Sequence, residues 1–227
     1  MEVSNFLSRF EMMVGKNSID VLVHKTVLIV GIGGVGGYVC EALARCGVGH
    51  LILIDPDIVE ITNLNRQIVA LRSTLGKKKV EVMKDRILDI NPQATVDIYD
   101  MFLNNDNFSF LDSLSLDFLV DCCDTVSTKE AIITYCLNKD IPFITCLGTA
   151  KKMDPSLLEI TELKKTYNDP LAKILRKYVR DYHIVGNIPV LFSRELPCSC
   201  QGLGSSAFVP SSAGLLIASY VISKFIK

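Results

Sequence analysis

The chain has 227 residues, 49% of them hydrophobic, and a formal net charge of -1. That length suits one domain, or one domain with a small extension, and supplies enough apolar residues for a sizeable core. The near-zero charge excludes a global basic field, so any binding of nucleic acid rests on local charge.

The N-terminal MEVSNFLSRFEMMVGKNS lacks an apolar run of signal-peptide length, which points to a cytoplasmic protein. Eight cysteines lie mostly in apolar runs, where reduced thiols act as small hydrophobes. Cys198 and Cys200 stand one residue apart, with no second pair to complete a four-thiolate zinc site. In chain order, TVLIVG reads as a first strand, Val35 to Cys46 as its helix and HLILID as a second strand. KKKVEVMKDRILDINP is amphipathic, with Val80, Met83, Ile87 and Ile90 on one face. TVDIYDM, LDFLVDCCD and IPFITCLG read as further strands, with a helix over Ser127 to Asn138. Strands alternating with helices predict an α/β, Rossmann-like fold: a mainly parallel sheet with helices on both faces. Beyond residue 150, LLEITEL and IPVLFSREL read as strands, and Pro170 to Asp181 as a helix with Leu171, Ile174, Leu175, Tyr178 and Val179 on one face. AGLLIASYVISKFI is shorter than a membrane span and contains Lys224, which predicts a buried terminal helix and no membrane. The expected organisation is a single domain over 1–227: a nucleotide-binding core over 1–150 and a substrate-shaping extension over 151–227.

Gly31, Gly33 and Gly36 match G-x-G-x-x-G between a strand and a helix, and Gly34 opens the loop further. Such a loop permits a tight turn, close approach of phosphate and close packing of helix on strand, with the helix N-terminus facing the anion. Asp55 ends the second strand, nineteen residues beyond Gly36, where a carboxylate accepts from ribose hydroxyls. The loop therefore implies an adenine nucleotide but does not distinguish NAD from ATP. Splitting ATP at its α-phosphate needs fixed cations beside the developing charge. Arg66 and Lys79 follow Asp55 in order, Asn63 and Gln67 add neutral hydrogen-bonding groups, and Asp57 lies beside Asp55. Asp124 follows the fourth strand, where it suits a magnesium ligand beside polyphosphate. Taken singly, Arg66 also fits a surface arginine, Lys79 a solvated lysine and Asp124 a helix N-cap. Their order behind the glycine loop favours ATP chemistry, and a nicotinamide-binding module leaves that spacing without a reason.

GIGGVG, LIDPDIVEITNLNRQ, GKKKVE and DCCDTVSTK, with their spacings, resemble the adenylating domain shared by molybdopterin- and thiamine-pathway activating enzymes and ubiquitin-activating enzymes. The resemblance spans roughly residues 9 to 150. It implies ATP bound by Gly31, Gly33, Gly34, Gly36, Asp55, Asp57, Asn63, Arg66, Gln67, Lys79 and Asp124, with Mg2+ on Asp124. It also implies catalysis by Arg66, Lys79 and Asp124, joined by Arg9 of the SRF motif reaching into a neighbouring subunit, hence a homodimer. A solvated N-terminal charge fits Arg9 equally well.

KKMDPSLLEITELKKTYNDPLAKILRKYVR and SSAFVPSSAGLLIASYVISKF resemble the tRNA threonylcarbamoyladenosine dehydratases. That resemblance implies adenylation of the threonylcarbamoyladenosine carboxylate in tRNA, followed by cyclisation to an oxazolone. The chain is short between Arg180 and the terminal helix, which implies a reduced substrate-facing loop. Lys151, Lys152, Lys173, Arg176, Lys177 and Arg180 concentrate cations as an RNA backbone requires, although a solvated helix face has the same composition. A sulfur-relay or accessory protein that assists cyclisation is a further expected partner. The alternative keeps the adenylation and activates the C-terminal carboxylate of a sulfur-carrier protein. No cysteine lies between Leu147 and Pro197, which weakens a thioester version of that reaction.

Overall fold

The computed structural model describes residues 6–199 and 201–226, so Cys200 lies outside the described residues. Seven strands form one sheet in the order β3-β2-β1-β4-β5-β7-β6. They are β1 (Thr26–Val30), β2 (His50–Ile54), β3 (Thr95–Tyr99), β4 (Phe118–Asp121), β5 (Phe143–Cys146), β6 (Leu158–Glu162) and β7 (Pro189–Ser193). All neighbouring pairs are parallel except β6 with β7. β6 and β7, the strands beyond residue 150, therefore extend the same sheet as β1 to β5.

Alternation along β1 sends its side chains into two cores. Val27 and Ile29 join the layer under α3 (Gly36–Arg45), α4 (Lys79–Ile90) and α7 (Phe208–Phe225). Leu28 and Val30 join the layer under α5 (Val126–Asn138) and α6 (Pro170–Asp181). The central strands are buried on both faces, which is why they read as unbroken apolar runs rather than alternating ones.

The residue pattern locates α6 to the residue. Asp169 accepts from the Ala172 amide and Pro170 occupies the first turn, a local stop-start signal that needs no tertiary support. Its apolar face is narrower than expected, because Ile174 is half exposed. α7 is longer than the apolar stretch that suggested it. Its 18 residues would suffice to cross a bilayer by length and composition. One face instead packs on α3 through Val209, Ala213, Gly214, Ile217 and Val221. Two seven-residue helices that the residue pattern did not announce, α1 (Ser8–Val14) and α2 (Lys16–Leu22), precede β1.

Glu41 on α3 ties that helix to α4. It accepts from Arg86 Nε at 2.6 Å and Nη2 at 3.0 Å, and from Arg45 Nε at 2.8 Å. Burial pushes the Glu41 carboxyl up, but the two guanidinium groups outweigh it and hold it below the ordinary glutamate value of 4.5. A depressed folded-state value stabilises the fold above 4.5, and this contribution is lost as pH falls through the folded value. Glu41→Gln is expected to lower unfolding free energy by about 1–3 kcal/mol at neutral pH, on the scale of charge-assisted hydrogen bonds. Urea denaturation should show the gap from the parent closing below pH 4.5; a gap constant down to pH 3 would refute this account.

Candidate active site

The sheet places its chemistry at the carboxyl edge. Strand order runs outward from β1 to β2 on one side and to β4 on the other, so the loops after β1 and β4 part at a topological switch point. The loop after β1 is the glycine loop. Gly31 has φ 91°, and a β-carbon there would lie 2.8 Å from the Cys122 carbonyl. A β-carbon on Gly36 would lie 1.8 Å from the Gly31 carbonyl oxygen. Both positions exclude any side chain for steric reasons, and together they press the start of α3 against the loop after β4. Val35 at the N-cap of α3 provides no side-chain capping bond. Within the first turn the Gly37 amide donates to the Gly33 carbonyl at 3.1 Å and the Tyr38 amide to the Val35 carbonyl at 3.0 Å, which leaves the Gly36 amide as the first-turn donor that suits an anion.

Asp55 closes β2 and is 5% exposed. Its Oδ2 accepts from the Ile32 amide at 2.6 Å and its Oδ1 from the Asp57 amide at 2.9 Å, so it clamps the glycine loop to the β2 end. Burial raises the Asp55 carboxyl, opposed by Lys79 and by these two amides. Lys79 opens α4 with its ammonium inside, 2.7 Å from Asp57 Oδ2 and 4.0 Å from Asp55 Oδ1. The chain between them folds back over this pair through the Lys79 amide to the Asp57 carbonyl at 3.0 Å. Lys79 is therefore buried between carboxylates, which excludes the alternative of a solvated lysine.

Asn63, Arg66 and Gln67 come from the turn that follows. Asn63 is buried and accepts from the Glu60 amide. Arg66 is partly buried and donates to the Thr62 carbonyl and to Asn65 Oδ1, while its stem lies against Gly34. Gln67 lies beside Gly33, buried, with its Oε1 lacking any hydrogen-bond partner. A buried unpaired acceptor beside the glycine loop fits a ligand that brings a donor, as a nucleotide would.

Asp124 lies on the loop after β4, exposed, with only Thr125 Oγ1 near its Oδ1 at 3.5 Å. The N-cap of α5 is Thr125 and uses no side-chain bond, so Asp124 is not consumed as a cap. Among the described residues, no cluster of three or more His, Cys, Asp or Glu side chains could hold a metal. A lone free carboxylate fits a magnesium ion carried mainly by phosphates.

The structure separates the expected RNA contacts. Lys152 is 2% exposed, with its Nζ 3.2 Å from the Ser193 carbonyl and 3.7 Å from Asp169 Oδ2. Burial pushes this ammonium down from its ordinary value, and its place inside the fold removes it from the surface where a backbone phosphate would lie. Arg176 turns inward to the Thr166 carbonyl and hydroxyl. Lys173, Lys177 and Arg180 are exposed, and Lys151 is partly so. α6 starts at the carboxyl edge, where Asp169 accepts from Gly148, and ends beside the far end of α5, where Tyr178 meets Thr134. The stripe consequently runs down the side of the molecule, away from the glycine loop, rather than gathering beside it. Arg9 is exposed on α1. Leu7, two residues earlier, packs on Gly47 just beyond α3, so Arg9 lies at the end of that helix opposite the loop.

Two charged residues here escaped the residue-pattern reading. Asp121 ends β4 and Lys129 lies in α5; they are buried together, with side chains 0% and 1% exposed. The available signal was an acid closing an apolar strand and a lysine on the helix face shared with Ile132, Ile133 and Cys136.

A glycine loop at the switch point, an acid on the neighbouring strand end and cations beside the loop define a nucleotide-binding α/β protein. Residues 7–223 match the ThiF family, and the chain belongs to it. The tRNA threonylcarbamoyladenosine dehydratase of Bacillus subtilis is 38% identical over 97% of this chain and 94% of its own length. Escherichia coli tRNA N6-threonylcarbamoyladenosine dehydratase in complex with ATP aligns with a TM-score of 0.91 and 36% identity, over 95% of this chain and 91% of that one. Ubiquitin-like modifier-activating enzyme 5 of Bombyx mori, 37% identical, matches only 55% of this chain.

Gly36→Ala is expected to abolish saturable ATP binding in calorimetric titration while the circular dichroism of the fold persists. Wild-type affinity in that variant would show that the 1.8 Å approach to Gly31 is not a constraint on the loop.

Proposed function

We propose that this chain is an ATP-dependent tRNA threonylcarbamoyladenosine dehydratase acting through an acyl-adenylate. The observation that carries this reading is likeness along both halves: the dehydratases align over nearly the whole chain, extension included. The relative that activates a ubiquitin-like modifier shares about half of it. Activation of a sulfur-carrier protein is correspondingly the weaker reading.

In the proposed reaction, a carboxylate oxygen of the modified nucleoside attacks the α-phosphorus of ATP. That P–O bond forms as the bond to the β-phosphate oxygen breaks, and pyrophosphate leaves with the electron pair. Negative charge grows on the departing pyrophosphate and on the non-bridging oxygens of the α-phosphate. The α3 N-terminus, Lys79 and Arg66 are the fixed positive groups nearest the glycine loop, and they act as preorganised stabilisers. Lys79 must shift its pairing from Asp57 towards phosphate. The carbonyl carbon is then electrophilic; the carbamoyl oxygen closes on it, AMP departs and the urea proton is lost. Overall the nucleoside loses one water and ATP becomes AMP and pyrophosphate. Asp124 would hold Mg2+, which neutralises charge on the departing phosphates. The exposed Lys173, Lys177 and Arg180 and the partly exposed Lys151 are proposed as phosphate contacts along the flank of the extension.

Pyrophosphate release from MgATP should depend on tRNA carrying threonylcarbamoyladenosine, and mass spectrometry of that nucleoside should show loss of one water. Turnover with a diglycine-ended carrier protein and none with this tRNA would overturn the substrate. Lys79→Ala should remove release without unfolding the chain.

Arg9 lies toward the end of α3 opposite its own glycine loop, and we propose that it serves a partner subunit's site in a homodimer. Arg9→Ala and Lys79→Ala should each be inactive. Co-expressed, they should recover roughly a quarter of wild-type turnover, since half of the dimers then carry one intact site. No recovery in a demonstrated mixed dimer would place Arg9 outside the mechanism.

A further inference from the structure

The buried Lys129–Asp121 pair lies under the loop that carries Asp124. Lys129 Nζ makes three bonds: to Asp121 Oδ1 and Oδ2, each at 3.0 Å, and to the Cys146 carbonyl at 2.8 Å. An ammonium has three donors, so none is left over. Asp121 Oδ1 also accepts from the Cys123 amide at 3.1 Å and from Cys123 Sγ at 3.1 Å. The loop from Cys122 to Thr125 is thus suspended from Asp121 at Cys123, one residue before Asp124. Asp124 itself has no bond that would fix it beyond the long approach of its neighbour Thr125. Its place in the site is inherited from Cys123. On the other side of the same residues, Cys122 packs against Gly31 and Gly36.

Stability alone gives a poor reason for such a pair. Removing two charges from water costs several kcal/mol per ion, and apolar replacements of similar volume are often neutral or stabilising. What apolar side chains cannot do is accept from the Cys123 amide and donate to the Cys146 carbonyl in fixed directions. We infer that Lys129 is a positioning residue for divalent-cation binding: through Asp121 and the Cys123 amide it holds Asp124 where a cation on ATP phosphates meets it. Through Cys146 it also fixes the end of β5, so the metal corner and the start of the substrate-facing extension keep one spacing. Burial would push the Lys129 ammonium down, but Asp121 outweighs it and keeps it charged. The inference rests on the assignment of Asp124 to the metal made above.

The test uses the full chain and the non-hydrolysable α,β-methylene analogue of ATP, titrated with and without Mn2+. The doubly neutral variant Asp121→Asn/Lys129→Met avoids stranding one buried charge. It should fold, bind the analogue without metal within a few-fold of wild type, and bind Mn2+ in the ternary complex about tenfold or more weakly, the usual effect of losing a partner behind a metal ligand. The Mg2+ concentration for half-maximal pyrophosphate release should rise in parallel. Lys129→Arg keeps the charge but re-aims the donors, and it should fall between the two. It also serves as the test protein if the neutral pair does not fold. Folded variants with wild-type Mn2+ affinity would overturn the inference, as would equal weakening with and without metal, because the pair would then support the loop only generally. Wild-type protein whose analogue binding ignores Mn2+ would instead overturn the Asp124 assignment on which the inference stands.

Discussion

The site depends on a steric constraint: two backbone segments meet where no side chain fits. Gly36 must lie under the Gly31 carbonyl, and Gly31 against the backbone at Cys122. Only then does α3 start close enough to β1 for its first turn to face the crevice between β1 and β4. The rest is fastened to that contact. Asp55 reaches the Ile32 amide because the loop turns at Gly31, and the stem of Arg66 lies on Gly34 because the loop is thin. Cys122 contacts both glycines, so the loop bearing Asp124 begins from a fixed point.

Charge is handled differently at three buried lysines, and the differences follow from their partners. Lys129 faces a carboxylate at 3.0 Å with its remaining donor satisfied, and its charge is secure despite full burial. Lys152 has Asp169 at 3.7 Å, and that carboxylate already accepts from Gly148 and Ala172, so burial wins and the ammonium is pushed down. Lys79 has one carboxylate that is mostly solvent-exposed, Asp57, and one that is buried, Asp55. A pairing that is half exposed can be exchanged for another anion at less cost than one sealed inside the core. Of the three, Lys79 has the more exposed partner and Lys129 the sealed one.

Much of the fold was legible because local signals and global packing agree in it. The strands are apolar runs punctuated by Gly and Asp, and α6 is bounded by Asp169–Pro170. The N-terminal helices were not legible, since seven residues without side-chain caps carry little periodic signal. The glycine loop, Asp55 and Arg66 are near one another in the chain, and the fold also brings them together: Asp55 accepts from the Ile32 amide and the Arg66 stem lies on Gly34. Lys152 and Lys129 were hidden by the general rule that lysine is solvated. Their burial follows from acids at Asp169 and Asp121 that only the folded chain brings near. The direction of α6 likewise follows from the sheet, which is why cations adjacent in sequence to the active-site loops end up spread along the flank.

The nucleotide crevice is not the work of the first 150 residues alone. Asn65, next to Arg66, donates to the Ser205 carbonyl, and a β-carbon on Gly34 would lie 3.3 Å from Pro210. α7 then covers α3, whose inner face would otherwise leave Val35, Val39 and Leu43 open to water. On the other flank, the Gly148 amide is held by Asp169 from the extension. Residues beyond 150 thus complete the packing that holds the glycine loop and steadies the turn bearing Arg66. The glycine loop and the turn bearing Arg66 are therefore packed against the extension, which ties the two parts together mechanically. This coupling suits an enzyme whose two substrates must be aligned at a single phosphorus.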